Sequence, residues 1–287
     1  MSLLSVIIPN YNHAEFLKKR IDSVINQTFN DFEIIILDDH STDNSREIIN
    51  SYKNNSKISH IIFNETNSGS TFYQWNKGIN LAKGKYIWIA ESDDYCENEF
   101  LEYLIPKIEK FEDCIIAYCQ SYKIDSKNNI TGDWKYVSDF IDKNKFCDEF
   151  YSDGNEFVAK YLVYRNVIPN ASAVIFRKDK YIQIGLADTN LKQIGDWDVW
   201  LRMLTKGVVY FTDKRLNYFR LNERGVSQSV TNISNTFKNE VKLRIKINKN
   251  YLFNTKIRKI NNKLLFDLRV KISLNNMKNK IKKILNS

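Results

Sequence analysis

Glycine and proline are scarce, nine and three among 287 residues, and that scarcity removes several classes of protein. A chain so poor in both has no collagen-like or low-complexity stretch and no long Gly/Pro linker between domains. Neither GxGxxG nor GxxxxGK(S/T) occurs, so the glycine loops that cradle phosphates in dinucleotide-binding folds and P-loop NTPases are missing. The four cysteines, Cys96, Cys114, Cys119 and Cys147, form no CxxC pair, and the three histidines, His13, His40 and His60, do not stand at metal-site spacing from them. Neither a disulfide framework nor a structural zinc is expected; a reduced, cytoplasmic setting is. No run approaches the about 18 to 20 apolar residues of a membrane-spanning helix. The start, Met1-Ser2-Leu3-Leu4, lacks the charged segment and cleavage site of a secretion signal, so secretion is not expected.

What is present suits a globular chain with a substantial core: 43% apolar and 13% aromatic residues, enough for one large domain with an appended piece. The formal net charge of +9 is uneven. Residues 228–287 carry 15 Lys and Arg against two acids, Glu240 and Asp267, whereas the first 227 residues carry 28 basic and 32 acidic side chains. The excess charge belongs to the tail and says nothing about chemistry in the body.

The first hundred residues alternate between two periods. Apolar, β-branched runs at Leu4–Pro9, Phe32–Leu37, Ile58–Phe63 and Tyr86–Ala90 read as strands. Between them, Ala14–Gln27, Asp43–Lys53 and Thr71–Ala82 read as helices, the first with Phe16, Leu17, Ile21, Val24 and Ile25 on one stripe and the second capped by Ser41 or Asp43. Continuous apolar strands separated by amphipathic helices predict a parallel sheet covered on both faces. Beyond about Lys110 the spacing predicts a strand at Asp113–Cys119, loops with short strands over Ile124–Phe146, and a helix over Gly154–Tyr164. A strand follows at Ala171–Phe176, a helix at Asp196–Lys206, strands at Val208–Phe211 and Leu216–Leu221, and helix from about Asn235 onward.

In an open parallel sheet, ligands bind beyond the carboxyl ends of the strands. Three polar clusters fall there: Pro9-Asn10-Tyr11-Asn12, Asp38-Asp39-His40-Ser41-Thr42-Asp43 and Glu91-Ser92-Asp93-Asp94. The last holds three carboxylates within four residues, an arrangement that repels itself unless a cation sits among them. Hard oxygen donors suit Mg²⁺ or Mn²⁺, which share their coordination with phosphates. An acidic turn that merely caps the next helix is the plainer reading, but alignment with two other clusters favours the cation. Asp38-Asp39 fits an ordinary turn, or an acceptor for a pyrimidine imide with Tyr11 stacked on the base. Asp196, in Gly195-Asp196-Trp197-Asp198, fits either a first-turn acid that complements the helix dipole or a general base on a rigid element.

Together these stretches resemble glycosyltransferase family 2. Ser5-Val6-Ile7-Ile8-Pro9-Asn10-Tyr11-Asn12 is similar to the family's opening strand and loop, and Ser23-Val24-Ile25-Asn26-Gln27-Thr28 to the end of its first helix. Ile36-Leu37-Asp38-Asp39-His40-Ser41-Thr42-Asp43 resembles its VDDGSTD segment, with His40 in place of glycine. Asn67-Ser68-Gly69, Asn76-Lys77-Gly78 and Ala82-Lys83-Gly84-Lys85-Tyr86-Ile87 match its next block; Glu91-Ser92-Asp93-Asp94 stands at its DxD motif and Gly195-Asp196-Trp197-Asp198 at its base region.

The resemblance covers roughly residues 3–230. It implies an α/β, GT-A nucleotide-diphospho-sugar transferase fold, with a mostly parallel central sheet, helices on both faces and a C-terminal helical extension. Residues 1–230 would form the catalytic domain, with 1–110 its nucleotide-binding half and 111–230 its acceptor-binding half, and 231–287 a basic helical extension. The resemblance further implies that Asp39 contacts the base, Tyr11 stacks on it, and Pro9 and Trp75 line the donor. Asp93 and Asp94 would hold Mn²⁺ or Mg²⁺, Glu91 and Ser92 would support the ribose and metal region, and Asp196 would be the base of an inverting displacement. The donor would be a nucleotide-diphosphate sugar, with a uridine nucleotide the first expectation, and the acceptor a surface glycan or lipid-linked glycan. Three positions depart from the pattern: Glu91 is one methylene longer than Asp, Trp75 replaces a frequent Arg, and Asn222 stands where relatives often place a metal-binding His.

In the tail, Val270, Leu274, Met277, Ile281 and Ile284 recur at helical spacing with Lys278, Lys280, Lys282 and Lys283 between them. This stripe fits packing on the body, a homodimer contact, or peripheral docking at the inner face of the cell membrane. Nucleic acid is not expected as a partner, because aromatic platforms are scarce there. Two other functional classes remain: a sugar nucleotidyltransferase, against which the glycine- and cation-free Leu4–Asn12 argues, and a binding module without turnover.

Overall fold

Alternation of buried strands with one-sided helices yields the expected α/β architecture. The structure is a computed structural model that describes residues 2–168, 170–191, 193–221, 233–250 and 255–285. Strands β1 (Leu4–Asn10) and β2 (Phe32–Asp38) are buried along their whole length. Side chains of successive strand residues point to opposite faces, so Val6 and Ile8 meet α1 (Ala14–Ile25) on one side. On the other side Ile7, Ile35 and Leu37 share a core with α3 (Thr71–Leu81). Close approach of α3 needs Gly78: a Cβ there would lie 2.6 Å from Ile7 Cγ2. Helix α2 (Ser45–Ser51) follows β2, and β3 (Ile58–Phe63) and β4 (Tyr86–Ile89) complete the parallel half.

The second half adds β5 (Tyr95–Cys96), α4 (Phe100–Glu109), β6 (Cys114–Ile124), β7 (Ile130–Asp133), α5 (Lys135–Asp142), β8 (Phe150–Asp153), α6 (Gly154–Phe157) with a π turn over Val158–Leu162, β9 (Val174–Arg177), α7 (Lys178–Gln183), α8 (Gly195–Met203) and β10 (Val208–Arg220). Sheet order is β3-β2-β1-β4-β9-β6-β10-β5, with β7 on β6 and β8 on β10. Strand β9 runs antiparallel to both β4 and β6, while β10 is parallel to β6. The sheet is thus parallel across its first four strands and mixed beyond them.

Several local expectations change. Ile124–Phe146 contains a helix, α5, as well as the short strand β7. Val208–Phe211 and Leu216–Arg220 belong to one 13-residue strand that absorbs the intervening polar residues through register shifts near Thr212 and Arg215 and ends before Leu221. Helix α4 buries Phe100, Leu101, Leu104, Ile105 and Ile108 at three- and four-residue spacing, in a stretch where no element is expected above. Ser41 does not cap α2: its hydroxyl bonds Asp38, while Asp43 accepts from Ser45 N at 3.0 Å.

Helices α9 (Ile233–Asn250) and α10 (Thr255–Leu285) close the chain. They dock through Leu243, Ile247, Ile257, Leu265 and Leu268, all buried, and through buried Arg244, which donates to Val163 O at 3.1 Å and Asn261 Oδ1 at 3.3 Å. The stripe expected to pack on the body does not do so where it is described: Val270 and Leu274 are exposed. The side chains of Met277, Ile281 and Ile284 lie outside the described residues. Among the described residues no helix is long and apolar enough to cross a membrane.

Candidate active site

The carboxyl ends of β1 and β2 are tied by Asp38, which is fully buried. Its carboxylate accepts from Asn10 Nδ2 at 2.8 Å and Ser41 N at 3.0 Å, and Arg46 Nε lies 3.5 Å away. Asn12, with φ +55°, and His40, with φ +65°, adopt the left-handed backbone of this turn, which explains why a glycine suits position 40. Asp38 is therefore the structural acid of the pair. Asp39 is buried as well, 4% exposed, and its carboxylate is well supplied: Asn64 Nδ2 donates at 2.7 Å, Gln74 Nε2 at 2.8 Å, Ser68 N at 3.0 Å and Ser68 Oγ at 2.7 Å. A base imide reaching Asp39 has to displace part of this set. Tyr11 is exposed and open to stacking, whereas Pro9 is buried inside β1.

The acidic motif follows β4, where the backbone leaves the core. Glu91 N donates to Ser172 Oγ at 3.2 Å and Glu91 O accepts from Arg20 Nε at 2.8 Å. Its carboxylate turns toward α3 and accepts from Trp75 Nε1 at 2.8 Å. Burial, reinforced by the neighbouring Asp93 charge, raises the Glu91 carboxyl to about 8. Ser92 is buried and shares a 2.8 Å hydrogen bond with His13 Nδ1. Asp94 faces inward, 2% exposed, accepting from Arg220 N at 2.9 Å, with Arg20 Nη2 4.0 Å from its other oxygen. Burial and the Asp93 charge push Asp94 up to about 7. Arg220 also donates to Asp93 O at 2.7 Å, so the end of β10 clamps this turn. Glu91 and Asp93 are both partly exposed, and of the three carboxylates that of Asp93 alone has no hydrogen-bond partner among the described residues.

Trp75 is 2% exposed and packs against Phe72 and Trp200, with ring centroids at 4.8 and 6.3 Å. The ring expected to line the donor is thus sealed in the core, and its Nε1 donates to Glu91. The same aromatic group joins the acidic motif to α8, because Trp200 lies on α8 and Phe72 abuts Gly195 at its start. A Cβ on Gly195 would lie 2.4 Å from Phe72 Cε2. Gly195→Ala therefore costs about 1–3 kcal/mol by overpacking, read as a lower melting temperature.

Asp196, in the first turn of α8, is partly buried and receives Asn166 Nδ2 at 3.0 Å. Burial raises its carboxyl to about 6. Asp198, two residues on, points elsewhere and pairs with Arg202 at 2.6 Å.

A divalent cation fits this site in part. Asp93 offers hard oxygen at the surface, while Glu91 and Asp94 are committed to Trp75, Arg20 and Arg220. Among the described residues no three His, Cys, Asp or Glu converge as a preformed site. A small hard cation that takes its other oxygens from phosphates and water needs no such cage. Asn222 lies outside the described residues.

Sequence reasoning missed Arg20, His13, Asn166 and Arg220. Arg20 carried a signal, since it is a charged residue inside the buried stripe of α1. Asn166 and Arg220 carried none, because their partners are 30 and 126 residues away.

Residues 5–175 match the family described as Glycosyl transferase family 2. The putative teichuronic acid biosynthesis glycosyltransferase TuaG of Bacillus subtilis is 26% identical over 228 residues, 79% of this chain and 82% of that protein. Among solved structures, S. aureus TarS 1–349 in complex with UDP-GlcNAc has a TM-score of 0.68 at 19% identity, covering 93% of this chain and 71% of that one. The mannosyltransferase PcManGT of Pyrobaculum calidifontis, in complex with GDP-Man and Mn²⁺, has a TM-score of 0.65 at 12% identity, covering 92% and 69%. At such identities the structural likeness speaks for the fold, which is GT-A. With the match extending from β1 to β9 on that fold, the chain belongs to glycosyl transferase family 2.

Proposed function

We propose that this glycosyltransferase moves a sugar from a nucleoside-diphosphate donor, with uridine as the preferred base, to a hydroxyl of a surface polysaccharide or lipid-linked glycan, inverting the anomeric centre. The observation that carries the reading is the turn after β4. It places the Asp93 carboxylate at the surface and is coupled through Trp75 and Trp200 to α8, which carries Asp196 in its first turn. TuaG supports the acceptor class and the UDP-GlcNAc complex of TarS the donor class.

Bound at Asp93, Mn²⁺ or Mg²⁺ would supply positive charge against the departing diphosphate. The remaining work falls to side chains. Tyr11 and Asp39 hold the base, and the Ser92–His13 contact fixes the turn beneath the ribose. Asp196 takes the proton of the acceptor hydroxyl. As that oxygen bonds to the anomeric carbon from the opposite face, the bond from carbon to the diphosphate oxygen breaks, and the electron pair leaves with the nucleotide. Asn166 holds one carboxylate oxygen of Asp196, which leaves the other for the proton. The enzyme would work inside the cell, at the inner face of its membrane.

The test is a thermal-shift screen of UDP-, dTDP- and GDP-sugars with and without Mn²⁺, followed by nucleotide release with the best donor. A Mn²⁺-dependent shift with UDP-sugars and nucleotide release that disappears in Asp93→Ala are the expected results. Tight binding with no release under any acceptor condition would make the chain a binding module instead.

A further inference from the structure

Helix α10 has two apolar faces, and among the described residues only one of them is covered. Ile257, Asn261, Leu265 and Leu268 are buried against the rest of the chain, at the spacing of one helix face. On the opposite face Phe266 is 66% exposed, Val270 42% and Leu274 48%. At 100° per residue these three fall within an arc of roughly 80°, and exposed Lys259 and Lys263 lie in the same arc. Residues 255–285 hold ten Lys and Arg and one acid, Asp267.

We propose that this outward face of α10 docks on an anionic lipid surface. Large apolar side chains ringed by lysine, lying along one side of a helix too polar to insert across the bilayer, are what an interfacial helix requires. Charge decides between possible occupants. A two-fold contact between copies across this face would bring two strongly basic helices together, whereas a leaflet rich in acidic headgroups offsets them. A nucleic acid would answer the lysines but leave Phe266, Val270 and Leu274 in water.

The inner face of α10 points the same way. Ile260 lines a cavity with Lys160, Tyr161 and Tyr164, in the segment that leads to Asn166 and so to Asp196. Docking would hold the acceptor side of the enzyme against the bilayer. That last step rests on the proposed function; lipid binding itself does not.

The experiment uses the full chain, without nucleotide sugar, and co-sedimentation with vesicles of phosphatidylcholine alone or mixed with phosphatidylglycerol. The expected result is partitioning into mixed vesicles about tenfold or more above neutral ones, weakened by salt. Combined Phe266→Ser, Val270→Ser and Leu274→Ser should lower it by about tenfold. Lys259→Ala with Lys263→Ala, which removes no apolar contact, should lower it about fivefold per lysine. Equal partitioning into neutral and anionic vesicles overturns the proposal, as does binding that survives both variants. A stable dimer that the serine variant dissociates, or RNA binding in preference to vesicles, also overturns it. Failed vesicle binding with intact sugar transfer would refute this surface and leave the catalytic reading standing.

Discussion

Asp196→Asn cuts sugar transfer by about 10²- to 10⁴-fold, the range that a positioned general base contributes, and leaves nucleotide affinity almost unchanged. The amide keeps the shape of the side chain and its contact with Asn166 but cannot take a proton. Because burial raises the Asp196 carboxyl to about 6, the parent enzyme should lose kcat/KM as pH falls through that value, tenfold per unit well below it. The sign follows from the chemistry: the ionised form is the base, and acid removes it. In the variant this limb disappears. Full transfer by the Asn variant, or an acid limb that persists in it, would remove Asp196 from the base role. Asn166→Ala gives a complementary result, a smaller loss in kcat with KM preserved, because it leaves the base present but less well held.

Asp93→Asn and Glu91→Gln separate the ligand from its neighbours. Asp93→Asn should weaken Mn²⁺-dependent UDP binding by more than the about 10- to 100-fold typical of a supporting residue. Glu91→Gln should fall within that range, because the Glu91 carboxylate is turned to Trp75 rather than outward. Titration calorimetry with and without Mn²⁺ measures both, and equal losses would mean that Glu91 also reaches the cation.

Stability moves the other way in Glu91→Gln. The folded carboxyl sits at about 8 against an ordinary 4.5, chiefly through burial. Ionising it therefore costs folded-state stability that is unaffected below about 4.5 and progressively lost as pH rises from there to about 8. A neutral amide escapes this cost. Without divalent ions, the variant should melt several degrees above the parent at pH 8.5 and close to it at pH 5. A variant less stable at both values would show that Trp75 requires the carboxylate itself.

The sequence by itself determined the parallel half of this protein. The apolar runs of β1 to β4 and the stripes of α1 and α3 are local patterns, and each strand end carries a polar cluster that the sheet aligns without further information. The position of the Asp93 turn and of Asp39 just beyond strand ends was legible for that reason. Tertiary structure alone decided the roles within each cluster. Asp38 and Asp39 are adjacent and chemically identical, yet Asn10 and Ser41 bury the first while Ser68 and Gln74 surround the second. Trp75 reads as a donor residue by position, but the approach of α8 seals it into the core as the support of Glu91. Likewise α10 offers two apolar stripes at helical spacing, and only docking against the π turn and α9 selects which is covered. Periodicity fixes which residues share a face; it does not say what that face meets, because the partner comes from elsewhere in the chain.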